Sequence, residues 1–149
     1  MIIISASPDV NLSLFLKQIR ESECKFIVES FAHWKNNTSS IPEAFVYLRV
    51  TPEISYKRLI DNNQYMSLQM LHSYHNESEC YFINNTTREA HLIDVPTLIL
   101  NGNMCFEADF SQFYTHLFAI KKLYQNIQDQ KAKDAGTYVE RKKHTKCRC

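Results

Sequence analysis

One group of potential metal ligands in the sequence is a pair of histidines, His72 and His75, followed by Cys80 and His91. A structural zinc site needs four ligands at suitable spacing, and a catalytic site needs at least three from the protein. Two histidines without a paired cysteine or carboxylate motif do not supply such a set, so we expect no metal site. The same residue types could form a cysteine nucleophile with a histidine base, but no spacing here orients such a pair.

Charged and polar side chains follow four short apolar segments, at residues 5–7, 29–34, 49–53 and 101–103. In open parallel sheets, ligands bind at the carboxyl ends of the strands. These four ranges are therefore the places where a site is expected. From its position alone, Glu29 is a carboxylate at a strand end that accepts hydrogen bonds from nearby backbone amides.

Glycine is scarce, since Gly102 and Gly136 are the only two in 149 residues. Average usage predicts roughly ten. A glycine-rich phosphate loop, a dinucleotide-binding fingerprint and a nucleophile elbow all need glycines at fixed offsets, because the backbone must approach a ligand or adopt positive φ. The composition therefore excludes the standard forms of all three motifs.

The elements that must position these residues are short apolar strands alternating with amphipathic helices. The sequence predicts strands over residues 2–5, 25–29, 44–50 and 97–100. It predicts helices over residues 8–20, 52–60, 67–82 and 107–128. Such an alternation is typical of an α/β sandwich around a short parallel sheet flanked by helices.

Two of these helices are predicted to begin with a proline at the first position. Ser7 precedes Pro8, and Thr51 precedes Pro52, so each hydroxyl residue is predicted to be the N-cap. The last predicted helix carries an apolar stripe that we interpret as core packing. Its members are Phe110, Phe113, Leu117, Ile120, Leu123, Tyr124 and Ile127.

Charge is distributed unevenly along the chain. Residues 131–149 contain seven Lys and Arg against two acidic residues, a net charge of +5, while residues 1–130 carry ten against fourteen, a net charge of −4. The acidic part argues against a broad nucleic-acid-binding face. We expect residues 1–130 to form one domain and residues 131–149 to be a basic, disordered tail, through which RNA, anionic lipid or an import receptor could bind.

The five cysteines are an odd number, and no segment has the pattern of a signal peptide. No apolar run approaches the roughly 18 residues of a membrane-spanning helix. We therefore expect an intracellular, cytoplasmic protein with reduced thiols and no membrane span.

Taken in order, several segments resemble the deoxyribonucleoside kinase family, P-loop enzymes that phosphorylate the 5′-hydroxyl of deoxynucleosides. Residues 14–37 resemble its first helix, second strand and Glu-Pro-x-x-x-Trp segment, which reads ESFAHW here. Residues 42–59 resemble a family strand and its Thr/Ser-Pro-Glu helix start, and residues 68–75 resemble its L-x-x-L-H-x-x-H helix. The strand ending in Asn101 also fits, so that the resemblance covers residues 2–127.

The resemblance implies a reduced P-loop kinase-like sandwich, with a deoxynucleoside, ATP and Mg²⁺ as its ligands. It implies that Glu29 is the general base acting on the 5′-hydroxyl and that Trp34 lies beside the nucleoside, although a sole tryptophan is equally typical of a core. It also implies that His72 and His75 face the core and are hydrogen-bonded. A homodimer is compatible with it.

The sequence departs from this family where phosphate would bind. Residues 5–13, SASPDVNLS, replace the family's G-x-x-x-x-G-K-[ST] loop without its glycines or lysine, and Asp9 adds negative charge. Ser13 alone could stand for the magnesium-binding hydroxyl. Seven residues separate Trp34 from Pro42, where the family has several helices and a strand, and residues 59–67 contain no arginine for a lid.

These departures predict a deoxynucleoside kinase-like protein that is catalytically impaired or inactive and acts by binding or dimerisation. Each lost hydrogen-bond donor to phosphate typically lowers the reaction rate by a factor of about 10² or more. A general base raises the rate by roughly 10²–10⁴, which does not compensate for the loss of all these donors. One alternative is an active kinase with Glu29 as base and Arg49 or Arg58 as phosphate ligands. The other is a non-catalytic interaction or scaffold protein that uses the basic tail.

Overall fold

The computed structural model describes residues 1–37, 40–104 and 110–145. Four parallel strands form one sheet in the order β2-β1-β3-β4. The predicted α/β architecture, a short parallel sheet flanked by helices, is confirmed. The strands are β1 Ile2–Ala6, β2 Val28–Ser30, β3 Ala44–Arg49 and β4 Thr97–Asn101. The helices are α1 Leu12–Glu21, α2 Phe31–Asn37, α3 Pro52–Asp61, α4 Leu68–Phe82 and α5 Phe110–Thr145, with a 3₁₀ turn at Ala90–Leu92.

Both faces of the sheet are covered, as its continuous apolar strands require. Ile2 and Ile4 of the central strand β1 pack with Phe15 of α1 and Leu117 of α5 on one face. Ile3 points to the opposite face and joins an aromatic cluster with α2 and α4. The members of this aromatic cluster include Trp34, Phe45, Tyr47, Tyr81 and Phe82.

The predicted start of the first helix is wrong. Asn11, not Ser7, is the N-cap of α1, and its side-chain oxygen accepts a hydrogen bond of 3.1 Å from the Leu14 amide. The Ser7 hydroxyl is instead 2.6 Å from the Ser55 hydroxyl on α3. Ser7, which the local sequence predicts as the N-cap, therefore makes a tertiary contact with Ser55 instead. Residues 7–10 form a turn before the helix begins.

The start predicted for α3 is confirmed, with Thr51 as N-cap and Pro52 in the first turn. The second strand begins three residues later than predicted and ends one residue later, at Val28–Ser30. It is followed directly by α2, which the sequence patterns did not indicate. Among the described residues, no helix is both long enough and apolar enough to cross a membrane.

The predicted end of the last helix near Gln128 is wrong, because α5 continues to Thr145. Residues 131–145 of the basic segment, expected to be disordered, are therefore helical; a domain boundary at residue 130 stays a prediction. Lys131 contacts Glu43 at 2.5 Å, which holds this part of α5 against the loop before β3. The expected start at residue 107 lies outside the described residues. Phe110, which the sequence assigns to the core stripe, is 65% exposed, so this assignment is wrong.

Candidate functional site

Arg58 of α3 connects the loops that follow β1 and β4 at the carboxyl edge of the sheet. Its Nη1 donates to Asp9 Oδ2 at 3.1 Å and to the Gly102 carbonyl at 2.9 Å. Its Nη2 donates to the Asn103 carbonyl. One guanidinium group therefore joins the predicted strand-end range 101–103 to Asp9, which lies two residues after the predicted range 5–7, and both of its terminal nitrogens donate internally.

The side chain of Asp9 is fully buried, with 0% of its surface exposed. The Ser55 hydroxyl donates to Asp9 Oδ1 at 2.5 Å, and Arg58 binds the other carboxylate oxygen. We call Asp9, Ser55 and Arg58 the edge network. Because both oxygens of a buried carboxylate are paired with α3, the turn after β1 is fixed in a closed arrangement.

Close backbone approach also tightens this edge. The Gly102 amide donates to the Arg49 carbonyl at 2.8 Å. A Cβ atom at position 102 would lie 2.6 Å from Val50 Cγ2, closer than atoms pack. Gly102 is therefore present because the loop after β4 lies directly on the end of β3.

Arg49 at the end of β3 forms a bidentate pair with Glu79 of α4. Arg49 Nε and Nη2 donate to the two carboxylate oxygens, each at 2.8 Å. The Tyr47 hydroxyl donates to Glu79 Oε1 at 3.4 Å, and burial together with the Glu79 charge raises the pKa of this phenol. Arg49 lines a cavity of about 510 Å³ with His75 and Asn101, but its guanidinium is already committed to a carboxylate.

The two histidines of α4 differ in their surroundings. His72 is half-exposed and its Nε2 lies 3.2 Å from Glu53 Oε1, so the expectation that it faces the core is wrong. His75 is mostly buried, with its Nε2 3.6 Å from Glu79 Oε1. Position 72 falls on the solvent side because Leu71 takes the core side of this turn of the helix.

Glu29 lies at the end of β2, where its Oε1 accepts a hydrogen bond of 2.8 Å from the Ser30 amide. Its other oxygen is 3.9 Å from His33 Nε2. These contacts match the interpretation as a strand-end carboxylate that binds a backbone amide. Ser13 lies exposed in the first turn of α1.

Trp34 is buried in the aromatic cluster, with its ring centroid 5.6 Å from that of Phe45. Its indole N–H donates to the Ser40 carbonyl at 2.9 Å. From the sequence, Trp34 could be either a core residue or a residue beside a nucleoside. Its buried position corresponds to the first of these alternatives.

A cavity of about 320 Å³ lies between α2 and α4, next to the end of β1. We call it the aromatic cavity. The Phe31 and Tyr81 rings meet edge to face at 5.0 Å, and the Lys35 ammonium lies 4.9 Å from the Tyr81 ring centre. The lining residues are Ser5, Phe31, Lys35, Tyr74, Glu77, Ser78, Tyr81, Phe82 and Thr87.

Two partners at this edge could not be identified from the sequence: Glu79, which binds Arg49, and Ser55, which binds Asp9. Both are ordinary polar residues of helices, and no local pattern distinguishes them. The one available signal was Asp9, whose negative charge after β1 requires a partner when buried. Across the described residues, no group of three or more His, Cys, Asp or Glu side chains is arranged to hold a metal ion.

In comparisons with known proteins, no family model matches this chain and no curated protein matches it.

Proposed function

We propose that this chain is a non-catalytic, deoxynucleoside kinase-like binding protein. It takes a nucleoside-like ligand in the aromatic cavity and transfers no phosphate. The observation that carries the proposal is the edge network, in which a buried carboxylate and its arginine occupy the turn after β1.

The edge network opposes triphosphate binding at the position where the family resemblance implies it. Phosphoryl transfer depends on positioning and on cationic and N–H donors around anionic oxygens. Asp9 contributes a negative charge there, and Arg58 already donates to Asp9 and to the Gly102 carbonyl. A phosphate at this turn would meet repulsion from the first group and competition for the second.

The second candidate cation is neutralised in the same way. Charge-assisted bidentate pairs between arginine and a carboxylate are among the strongest side-chain interactions. Arg49 makes such a pair with Glu79, which lies on α4 and is mostly buried. Recruitment of Arg49 by a phosphate would leave the Glu79 carboxylate without its main partner.

The aromatic cavity retains the properties of a small-molecule site. Its volume lies at the lower end of the usual range of about 300–1,000 Å³, and such sites combine apolar walls with a few polar groups. The rings of Phe31 and Tyr74 line the cavity and offer stacking surfaces for a planar base, whereas the Tyr81 ring is already faced by Lys35 and Arg88. Glu77 and Lys35 supply an acceptor and a donor at the rim.

Isothermal titration calorimetry of the full chain with single deoxynucleosides, and separately with ATP and Mg²⁺, tests the proposal. We expect binding of at least one deoxynucleoside and no heat from ATP. Tyr74→Ala removes a half-exposed wall of the cavity and should weaken nucleoside binding roughly tenfold, by loss of one stacking contact. Tyr65→Ala, in a residue 89% exposed outside the cavity, is the matched control and should leave it unchanged.

Two results would contradict the proposal. Binding of ATP with Mg²⁺ would show that the edge network opens for a triphosphate. Absence of heat from every deoxynucleoside at millimolar concentration would remove the binding role and favour the scaffold interpretation with the basic segment.

A further inference from the structure

A second cavity, of about 510 Å³, lies at the carboxyl ends of β3 and β4. We call it the strand-end cavity, and among the described residues it shares no wall with the aromatic cavity. Ile99 of β4 gives it an apolar wall and is 44% exposed. Its polar wall includes Arg49, Thr51, Asn101 and Asn103. A cavity of this size, with apolar walls and a few polar groups, has the properties of a small-molecule site.

The oxygen atoms of the loop after β4 are already used as hydrogen-bond acceptors. Asn101 Oδ1 accepts from the Asn103 amide, and Asn103 Oδ1 accepts from the Thr51 amide, each at 3.0 Å. The Gly102 and Asn103 carbonyls accept from Arg58. Because the oxygen of each side-chain amide is bound, its NH₂ group is the end left to donate. Neither NH₂ group forms a hydrogen bond within the described residues, so this loop offers donors to the strand-end cavity.

Arg49 adds a positively charged donor to the same wall. Its Nε and Nη2 bind Glu79, so Nη1 is the terminal nitrogen that this pair leaves unused. The side chain of Arg49 is 50% exposed and that of Glu79 only 17%, so the pair presents its guanidinium to a ligand and not its carboxylate. No acidic residue of the described part of the chain lines the cavity. A ligand with acceptor oxygens can therefore bind Nη1 without displacing Glu79.

The charges around this cavity favour a ligand with a single negative charge. Glu79 already balances Arg49, so a further anion is held by one charge-assisted bond and by neutral amide donors. A phosphate dianion brings two charges close to the mostly buried Glu79 carboxylate, and the repulsion grows with the product of the charges. A carboxylate brings one charge and two oxygens, which match Nη1 and the two asparagine amides. Exposed Ile99 offers an apolar contact to a chain attached to that carboxylate.

We propose that the strand-end cavity binds a small aliphatic monocarboxylate. One carboxylate oxygen accepts from Arg49 Nη1, the other accepts from the side-chain amides of Asn101 and Asn103, and the aliphatic chain packs on Ile99. This binding leaves the Arg49–Glu79 pair intact. It is also independent of the aromatic cavity and of a nucleoside-like ligand there, so the chain holds two classes of ligand at separate places.

Nuclear magnetic resonance titration of the full ¹⁵N-labelled chain with 4-methylpentanoate tests the proposal. The side-chain amide signals of Asn101 and Asn103 should shift with one common dissociation constant. The uncharged 4-methylpentanamide has the same shape and should bind at least about tenfold more weakly. Acetate lacks the chain that packs on Ile99 and should also bind at least about tenfold more weakly. Inorganic phosphate should bind more weakly than 4-methylpentanoate because of its second charge.

Asn103→Asp separates ligand binding from the structure of the loop. The new carboxylate keeps an oxygen for the Thr51 amide but replaces the donor by a negative charge, so the dissociation constant of 4-methylpentanoate should rise roughly tenfold or more. Asn101→Asp makes the same change at the other amide and should have the same effect. Asn126→Asp, at an exposed position of α5 outside the cavity, is the matched control and should leave the constant unchanged. Unchanged backbone amide signals away from the cavity show that each variant is folded.

Several results would overturn the proposal. Equal binding of 4-methylpentanamide and 4-methylpentanoate would remove the role of charge, and tighter binding of phosphate would contradict the preference for a single charge. Wild-type affinity in both Asn101→Asp and Asn103→Asp would show that these amides are not the donors. The absence of any shift in the two asparagine signals at millimolar 4-methylpentanoate would remove the site.

Discussion

Arg88 holds the segment between α4 and β4 in the core, although nothing in its local sequence marks it. It is only 6% exposed, and it donates to the Tyr81 and Val95 carbonyls at 3.1 and 3.0 Å. It also donates to the Thr97 hydroxyl at 2.9 Å and lies 4.9 Å from the Phe45 ring centre. Burial lowers the pKa of this guanidinium. One side chain therefore satisfies backbone acceptors behind the aromatic cavity.

Arg88→Leu should destabilise the protein by about 3 kcal/mol, because it leaves several buried carbonyls without donors. Urea unfolding followed by circular dichroism measures this. Arg20→Leu is the control, since Arg20 is exposed and makes one hydrogen bond, to the Val28 carbonyl. If Arg88→Leu lowers the free energy of unfolding no more than Arg20→Leu does, Arg88 does not hold the segment between α4 and β4 in the core.

The two glycines predict opposite effects for the same substitution. Gly102→Ala places a Cβ atom 2.6 Å from Val50 Cγ2 and should cost about 1–3 kcal/mol through overpacking. At Gly136, in α5, a Cβ atom meets nothing within 4 Å, so Gly136→Ala should stabilise by about 0.5–1 kcal/mol. The melting temperature should fall for Gly102→Ala and rise for Gly136→Ala. Equal changes in the two melting temperatures would contradict the close approach of Gly102 to Val50.

At the scale of elements, α5 is held to the sheet by Glu43 as well as by its apolar side chains. Lys131 and Gln128 donate to Glu43 Oε1 at 2.5 and 3.1 Å. Burial alone would raise the pKa of Glu43, but hydrogen bonds from Lys131 and from the terminal amino group outweigh it and lower the pKa to about 2. The ionised carboxylate therefore ties the middle of α5 to the loop before β3.

The stability that Glu43 contributes should disappear in acid. Because its folded pKa lies below the ordinary value of 4.5, the contribution is complete above about pH 5 and is lost as pH falls towards 2. It amounts to at most about 3 kcal/mol. At pH 7, urea unfolding should give the wild type a larger free energy of unfolding than Glu43→Gln. This difference in free energy should become smaller below pH 4. A difference that is constant with pH would contradict this assignment.

The elements were largely predictable because they depend on local patterns. Apolar segments marked the strands, and Thr51 with Pro52 marked the start of α3. The start of α1 was missed because the Ser7 hydroxyl is used by Ser55, 48 residues away in the sequence. The extension of α5 was missed because the basic composition of residues 131–145 is equally typical of a disordered tail. The pairing of Arg49 and Arg58 with carboxylates depends on tertiary contacts that no sequence spacing encodes.

At the scale of the whole molecule, the turn after β1 is closed by the edge network, whereas cavities remain between α2 and α4 and beside Arg49 at the ends of β3 and β4. The edge network and the Arg49–Glu79 pair use both candidate cations internally. The aromatic cavity lies on the other side of β1, between α2 and α4. The scarcity of glycine agrees with the proposed absence of phosphate binding, because the close backbone approach that requires a glycine is at Gly102 and not in the turn after β1.

The most direct test is transfer of labelled phosphate from ATP with Mg²⁺ to each of the four deoxynucleosides. Wild-type protein and Glu29→Gln should both yield no more deoxynucleoside monophosphate than a reaction without protein. Glu29→Gln separates this chain's own activity from a contaminating kinase, because Glu29 is the only base that the family resemblance assigns. Labelled product formed by the wild type and abolished in Glu29→Gln would contradict the loss of phosphoryl transfer.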